Sequence, residues 1–188
     1  MEEAFPLKYL FASDIHGSRG AAEQVLARYR LEAADRLILL GDLLYHGPRN
    51  DLPDDYDPKA VIGLLNGAKR EILCVRGNCD AEVDQMVLAF PIMADCMLLD
   101  LSGRAAFVTH GHVYNLSALP PLKDGDLLIH GHTHVLTVTE QGGITYINPG
   151  SAALPKEGNP KSYMVWEDGL FTIKALDGRS LQTYDARP

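Results

Sequence analysis

Short apolar runs along this chain stop abruptly at polar residues, and helical periodicity fills the gaps between the first three. Residues 7–12 end at Ser13-Asp14, residues 36–40 at Gly41-Asp42, and residues 71–75 at Arg76-Gly77-Asn78. Runs of this length, bounded by turn-forming residues, read as buried strands. Between the first two, Ala22, Val25, Leu26 and Tyr29 recur at i, i+3, i+4 and i+7, which predicts a helix over 18–30. A polar, Pro-rich loop then leads to Asp57, which can cap a second helix; Pro58 suits its first turn and Gly67 stops it. Strand–helix repetition of this kind implies right-handed crossovers and a parallel sheet covered by helices.

The second half is different in texture. Residues 97–101, 105–109, 127–130, 135–140, 144–147, 163–167 and 170–175 are short strand candidates, with Gly142-Gly143 and Asp168-Gly169 as hairpin turns among the last four. The expected architecture is α/β, two packed sheets flanked by helices. No linker separates the halves, so residues 1–188 are expected to form a single domain.

Composition narrows the class. A length of 188 residues suits one compact domain with a real core. No stretch approaches the roughly 18 apolar residues of a membrane span, so no membrane association is expected. Met1-Glu2-Glu3 is acidic where a secretory signal would be basic, which predicts a cytoplasmic protein. The three cysteines, Cys74, Cys79 and Cys96, form no CxxC pair, so neither a disulfide framework nor a thiolate zinc site is expected. Net charge is −8 without a Lys/Arg cluster. Long nucleic acids would be repelled, whereas a small anionic substrate could bind where local cations outweigh the overall field.

Those cations have a natural place. Asp14 and His16 follow the first strand, Asp42 the second and Asn78 the third. His110 and His112 follow the strand at 105–109, and His132 and His134 the strand at 127–130. Open α/β sheets place ligands at the carboxyl edge of their strands, where loops converge on a rigid base. Taken singly, Asp14 or Asp42 reads as a helix cap and Asn78 as a turn residue. Five segments offering ligand-type side chains at one edge read differently, as a metal centre. The oxygen and nitrogen donors, with no thiolate, suit manganese, iron, cobalt or zinc.

The series Asp14-Ile15-His16, Gly41-Asp42, Gly77-Asn78-Cys79-Asp80, Thr109-His110-Gly111-His112 and Gly131-His132-Thr133-His134 resembles the calcineurin-like metallophosphoesterase superfamily. The short length, Gly-Asn-Cys-Asp in place of Gly-Asn-His, the loop His46-Gly47-Pro48-Arg49-Asn50 and the stretch Asn148-Pro149-Gly150-Ser151 are similar to its small bacterial branch of YfcE-type phosphodiesterases. The resemblance implies a four-layer α/β/β/α sandwich and two divalent ions, manganese by preference. It assigns Asp14, His16 and His134 to the first ion, Asp42 to both, and Asn78, His110 and His132 to the second.

The implied activity is hydrolysis of a small phosphodiester, with a hydroxide between the ions attacking in line. A phosphomonoesterase, or a scaffold on the same fold that has lost its catalytic role, is the alternative. His112 is expected either to contact substrate or to orient a ligand. Arg76 either stabilises transition-state charge or forms a salt bridge. Asp80 either caps the segment 81–86 or supports a metal-bound histidine. Arg49 reads as an exposed loop residue that could meet a phosphate. Cys79 stands where much of the superfamily has a histidine that protonates the leaving group. As a thiol it is a poor acid, or simply a packing residue, so good leaving groups should be preferred. The stretch at Asn148–Ser151 is expected as a rigid turn lying over the site, and apolar residues in 116–122 could support self-association as a homo-oligomer.

Overall fold

The computed structural model describes residues 7–187; the expectation drawn from Met1-Glu2-Glu3 lies outside them. The first half is built as the pattern predicts. Strand β1 (Lys8–Ala12) leads into helix α1 (Arg19–Leu31), β2 (Arg36–Leu39), α2 (Pro58–Gly67), β3 (Ile72–Cys74) and a short α3 (Glu82–Val87). Ser18 starts α1 by accepting a hydrogen bond from the Ala21 N–H, and Asp57 starts α2 by accepting from Ala60. The buried face of α1 carries Ala21, Ala22, Val25 and Leu26.

The second half supplies β4 (Cys96–Leu101), β5 (Arg104–Thr109), β6 (Leu127–Ile129), β7 (Thr137–Gln141), β8 (Ile144–Asn148), β9 (Ser162–Glu167), β10 (Leu170–Ala175) and β11 (Ser180–Asp185). Two mixed sheets result, in the orders β11-β10-β9-β1-β2-β3 and β4-β5-β6-β8-β7. Strands β1, β2 and β3 are parallel, as their helical crossovers require, and β9 joins β1 antiparallel. Both anticipated hairpins form, β7–β8 about Gly142-Gly143 and β9–β10 about Asp168-Gly169.

Phe11, Ile38, Leu40, Val108, Ile129, Ile147 and Met164, none of them measurably exposed, interdigitate between the sheets. A second core lies beneath α1 and α2, where Leu10, Leu37 and Leu39 meet Val25, Leu26, Val61 and Leu65. Alternate residues of β1 and β2 therefore serve two cores, which is why those strands read as continuous apolar runs.

Three details depart from the sequence reading. Strand β11 was not foreseen, because Ser-Leu-Gln-Thr-Tyr-Asp is a half-exposed edge paired only with β10. On the far side of the second sheet, the outer layer among the described residues is loop 110–126 rather than a helix. Its Leu116 and Leu122 pack on Phe107, Leu128 and Tyr146, so these two are spent within the molecule, while Leu119 stays exposed. Asp80 does not cap α3; Asp84 does so, accepting from the Ala81 N–H at 2.8 Å. No helix among the described residues is long and apolar enough to cross a membrane.

Candidate metal centre

All seven residues expected as ligands meet at the carboxyl edge of the two sheets. Asp14 and His16 arrive from β1, Asp42 from β2 and Asn78 from β3; His110 arrives from β5, and His132 and His134 from β6. Two clusters form. In Asp14, His16 and His134, and again in Asp42, His110 and His132, the candidate donor atoms lie within 4.8 Å of one another. His16 Nε2 lies 3.1 Å from His134 Nε2 and 3.6 Å from Asp14 Oδ1, and His134 Nε2 lies 3.3 Å from the same oxygen. Asp42 Oδ2 sits between the clusters, 3.7 Å from His16 Nε2 and 3.4 Å from His110 Nε2. Asn78 Oδ1 is 3.2 Å from His110 Nε2.

Backbone carbonyls aim these rings. The Nδ1–H of His16 donates to Tyr45 O at 2.8 Å, that of His110 to Leu40 O at 2.6 Å and that of His134 to Leu154 O at 2.6 Å. Each bond directs the ring's Nε2 inward, where it can carry a proton or meet a cation. The carboxylates are divided in the same way. Asp42 Oδ1 accepts from the Cys79 N–H at 2.8 Å, and Asp14 Oδ2 from the His132 N–H at 3.0 Å. Asp14 Oδ1, fully buried, has no aligned hydrogen-bond partner and faces two imidazole nitrogens. Converging imidazole nitrogens and carboxylate oxygens are costly unless protons or a cation complete the set, and the donor chemistry here fits a divalent metal.

The backbone is bent to achieve this. Asp14, His16, Asp42, His132 and His134 all adopt positive φ, between 48° and 66°. Five non-glycine residues in the left-handed region at one site is the pattern of strain retained for geometry. Glycines make room beside them: a Cβ on Gly77 would strike the Asp42 backbone nitrogen and carboxylate, and one on Gly131 would strike Ser13 and Asp14.

The ring charges follow from the surroundings. Burial works against a proton on His110, but Asp42 and Asp14 more than offset it and raise its pKa to about 9. His132, half-buried and facing His110, is lowered to about 4 by burial first and that neighbour second. Asp14 is held well below the ordinary carboxylate value, since its partners His134 and His16 overcome its burial. Protons thus occupy part of the space where a cation belongs, and metal uptake must displace them.

The remaining candidates divide. Cys79 lies on the site wall, with its sulfur grouped with His16 and Asp42 and accepting from Asn78 Nδ2 at 3.2 Å. Burial, then the charge of Asp42, push its thiol far up, so it stays protonated and is a very weak acid. His112 stands beside His110 and His132, ring centroids 5.5 and 6.2 Å away, on the wall of a separate recess. Arg76 is turned away: its Nε donates to Asp80 O at 3.2 Å and its Nη2 faces Glu82 at 3.9 Å, the salt-bridge alternative.

Asp80 supports neither a helix nor a histidine. Its carboxylate instead gathers the N–H groups of Asp42, Leu43 and Gly77. Asn148–Ser151 lies behind the site, not over it. Asn148 donates to Gly131 O and Thr133 Oγ1, and the Ser151 hydroxyl donates to Asp14 O. An open pocket of about 270 Å³ fronts the cluster, lined by Asp42, Asn78, His132 and His134 with Arg49 and Lys156 at its edge. Lys156 was not foreseen, because a lone lysine on a loop carries no pattern.

Residues 7–168 match the calcineurin-like phosphoesterase superfamily domain, and the chain belongs to that family. It is 45% identical over 175 residues to the phosphodiesterase YfcE of Escherichia coli K12, covering 93% of this chain and 95% of that one. The solved structure of the E. coli YfcE phosphoesterase superposes with a TM-score of 0.93 over 96% of this chain and all of the other, at 43% identity. A probable metallophosphoesterase of Bacillus subtilis, YsnB, is 26% identical over 91% of each chain. Vacuolar Protein Sorting 29 from Cryptosporidium parvum shares the fold alone, with a TM-score of 0.61 at 17% identity over 97% of this chain and all of that one. The chain is a phosphoesterase by family, built on the two mixed sheets of that fold.

Proposed function

We propose that this protein is a manganese-dependent phosphodiesterase acting on small diesters with good leaving groups. The observation that carries the reading is the shared oxygen: Asp42 Oδ2 faces both histidine clusters, 3.7 Å from His16 and 3.4 Å from His110. Asp14, His16 and His134 would hold one ion, Asn78, His110 and His132 the other, and Asp42 both. Iron, cobalt or zinc would satisfy the same donors. A divalent pair supplies Lewis acidity, drawing phosphate oxygens inward and lowering the pKa of a water to about 7.

The protein's own residues set the rest. Three carbonyl–imidazole bonds keep the donor rings in place without cost at the moment of reaction. Asn78, being neutral, limits the negative charge met by an anionic substrate. Arg49 and Lys156 offset the net charge of −8 locally and draw that substrate to the pocket. His112 meets the substrate from the second recess. Cys79, a thiol held protonated by burial and by Asp42, is a weak general acid, which favours alcohols that depart with little assistance. Long nucleic acids are excluded by charge, and the free thiols suit the reducing cytoplasm.

The test compares bis(4-nitrophenyl) phosphate with 4-nitrophenyl phosphate, using metal-stripped protein restored with manganese. Diester turnover exceeding monoester turnover supports the reading; the reverse order makes the protein a phosphomonoesterase. Metal-independent turnover, or none of either kind, would refute it.

A further inference from the structure

We infer that an apolar groove beside the metal centre receives one ester arm of the substrate, so that the physiological diester carries an apolar alcohol. The inference rests on the phosphodiesterase reading above and names its substrate class. The groove measures about 400 Å³ and lies between the start of α2 and the outward face of α3. Tyr45, Tyr56, Ile62, Val83 and Val87 line it, with Lys59 and Asp84 as its charged members. Cys79 belongs to this groove and to the metal pocket alike, so the two spaces meet at the site wall.

Three observations give the groove an occupant. First, α3 has no buried residue, yet it turns Val83 and Val87 to solvent at 63% and 44% exposure. Apolar side chains grouped around a concavity, unlike scattered ones, mark a binding surface. Second, the aromatic wall is braced: the His46 ring is packed edge-on between Tyr45 and Tyr56, with centroids 4.6 and 5.5 Å away. The wall is joined to the metal centre, because the Tyr45 carbonyl orients His16. Third, the position common to the two spaces holds the short side chain of Cys79. A phosphate seated before Asp42 and Asn78 would therefore direct one substituent past Cys79 into a groove lined mostly by apolar side chains, with Lys59 and Asp84 among them. An apolar cavity of about 150 Å³ already accommodates a benzene ring, so this groove has room for an aryl group or a medium alkyl chain.

The experiment is calorimetric binding of inorganic, methyl, butyl and hexyl phosphate to the full chain loaded with manganese, repeated with Val83→Glu and Val87→Glu. Both positions are exposed, so both variants should fold. The readout is the ratio of hexyl to methyl affinity within each protein, which cancels any change common to the phosphate pocket. We expect a gain in the wild type of more than about tenfold from methyl to hexyl, since full burial would give about fourfold per methylene. The binding heat capacity should become more negative along the series. The ratio should fall several-fold in either variant.

Equal affinity across the alkyl series overturns the inference while leaving the phosphodiesterase reading intact, provided inorganic phosphate binds. Failure of the wild type to bind inorganic phosphate would overturn both. A ratio unchanged in both variants overturns it too, and a change in their sedimentation would then assign the groove to contact between copies of this chain.

Discussion

The carboxylate of Asp80 holds the backbone of Asp42. Oδ2 accepts the N–H of Asp42 at 2.9 Å and that of Gly77 at 2.7 Å, while Oδ1 accepts that of Leu43 at 2.9 Å. One buried side chain thereby ties the loop after β2 to the loop after β3, the two that present Asp42 and Asn78. Replacing Asp80 with Ala would strand three buried donors, each costing about 1–3 kcal/mol when left unpaired, though not additively. The expected result is a fall in Tm of about 5 °C or more together with metal affinity weakened about 10–100-fold. Thermal melts and a manganese titration check both; Asp80→Asn should lie between.

Gly77 is close enough to Asp42 that a methyl group has nowhere to go. Its Cβ would meet the Asp42 nitrogen, which is backbone and does not yield, as well as the carboxylate. Gly77→Ala should lower kcat/KM by about 100-fold or more, since an ångström of misplacement has that effect. Circular dichroism should stay native.

Metal should stabilise the fold as well as enable turnover. Binding only to the native state adds RT ln(1 + [L]/Kd), about 2.7 kcal/mol at a hundredfold excess over Kd. Scanning calorimetry across a manganese series should show Tm rising with the logarithm of concentration. Asp14→Ala should flatten that rise, because it removes the orphaned buried oxygen at the first cluster.

Cys79→His should restore a proton donor beside the reacting phosphate. A positioned general acid contributes about 10²–10⁴-fold, and most where the leaving group is poor. Rates across a series of aryl and alkyl esters should therefore depend less steeply on leaving-group pKa than in the wild type. An unchanged slope would mean that Cys79 is a packing residue only.

Glu32, at the C-terminal end of α1, accepts hydrogen bonds from Lys174 Nζ at 2.8 and 2.9 Å and from the Tyr163 hydroxyl at 2.7 Å. Burial pushes its pKa up, but Lys174 and Tyr163 outweigh this and leave it below the ordinary value. A depressed carboxyl stabilises the fold at pH values above its unfolded pKa, near 4.3, and loses that contribution as pH falls through the folded one. Glu32→Gln should therefore melt lower than wild type at pH 7. The gap should close as acid protonates the native carboxylate.

Strands β1, β2, β3, β5 and β6 were legible because each is an apolar run that gives way, within a few residues, to a ligand-type side chain. The same stops located all seven candidate donors. What escaped has a physical reason in each case. The carbonyls of Leu40, Tyr45 and Leu154 aim three histidines, and a carbonyl leaves no mark on residue identity. Nothing in Asp14 or His134 announces a left-handed backbone, since neither is glycine. Asn148 and Ser151 carried a recognisable motif, but whether a turn lies above or behind a site depends on which strand it follows. Edge strand β11 alternates too weakly to be told from a polar tail.

The donors come from both halves of the sandwich: Asp14, His16, Asp42 and Asn78 from one sheet, His110, His132 and His134 from the other. A shear of one sheet against its neighbour would pull the centre apart before it disturbed any strand pairing. The oily seam of Phe11, Ile38, Val108 and Ile129 consequently works as an alignment device, and trimming it at a distance should blunt chemistry while leaving the protein folded.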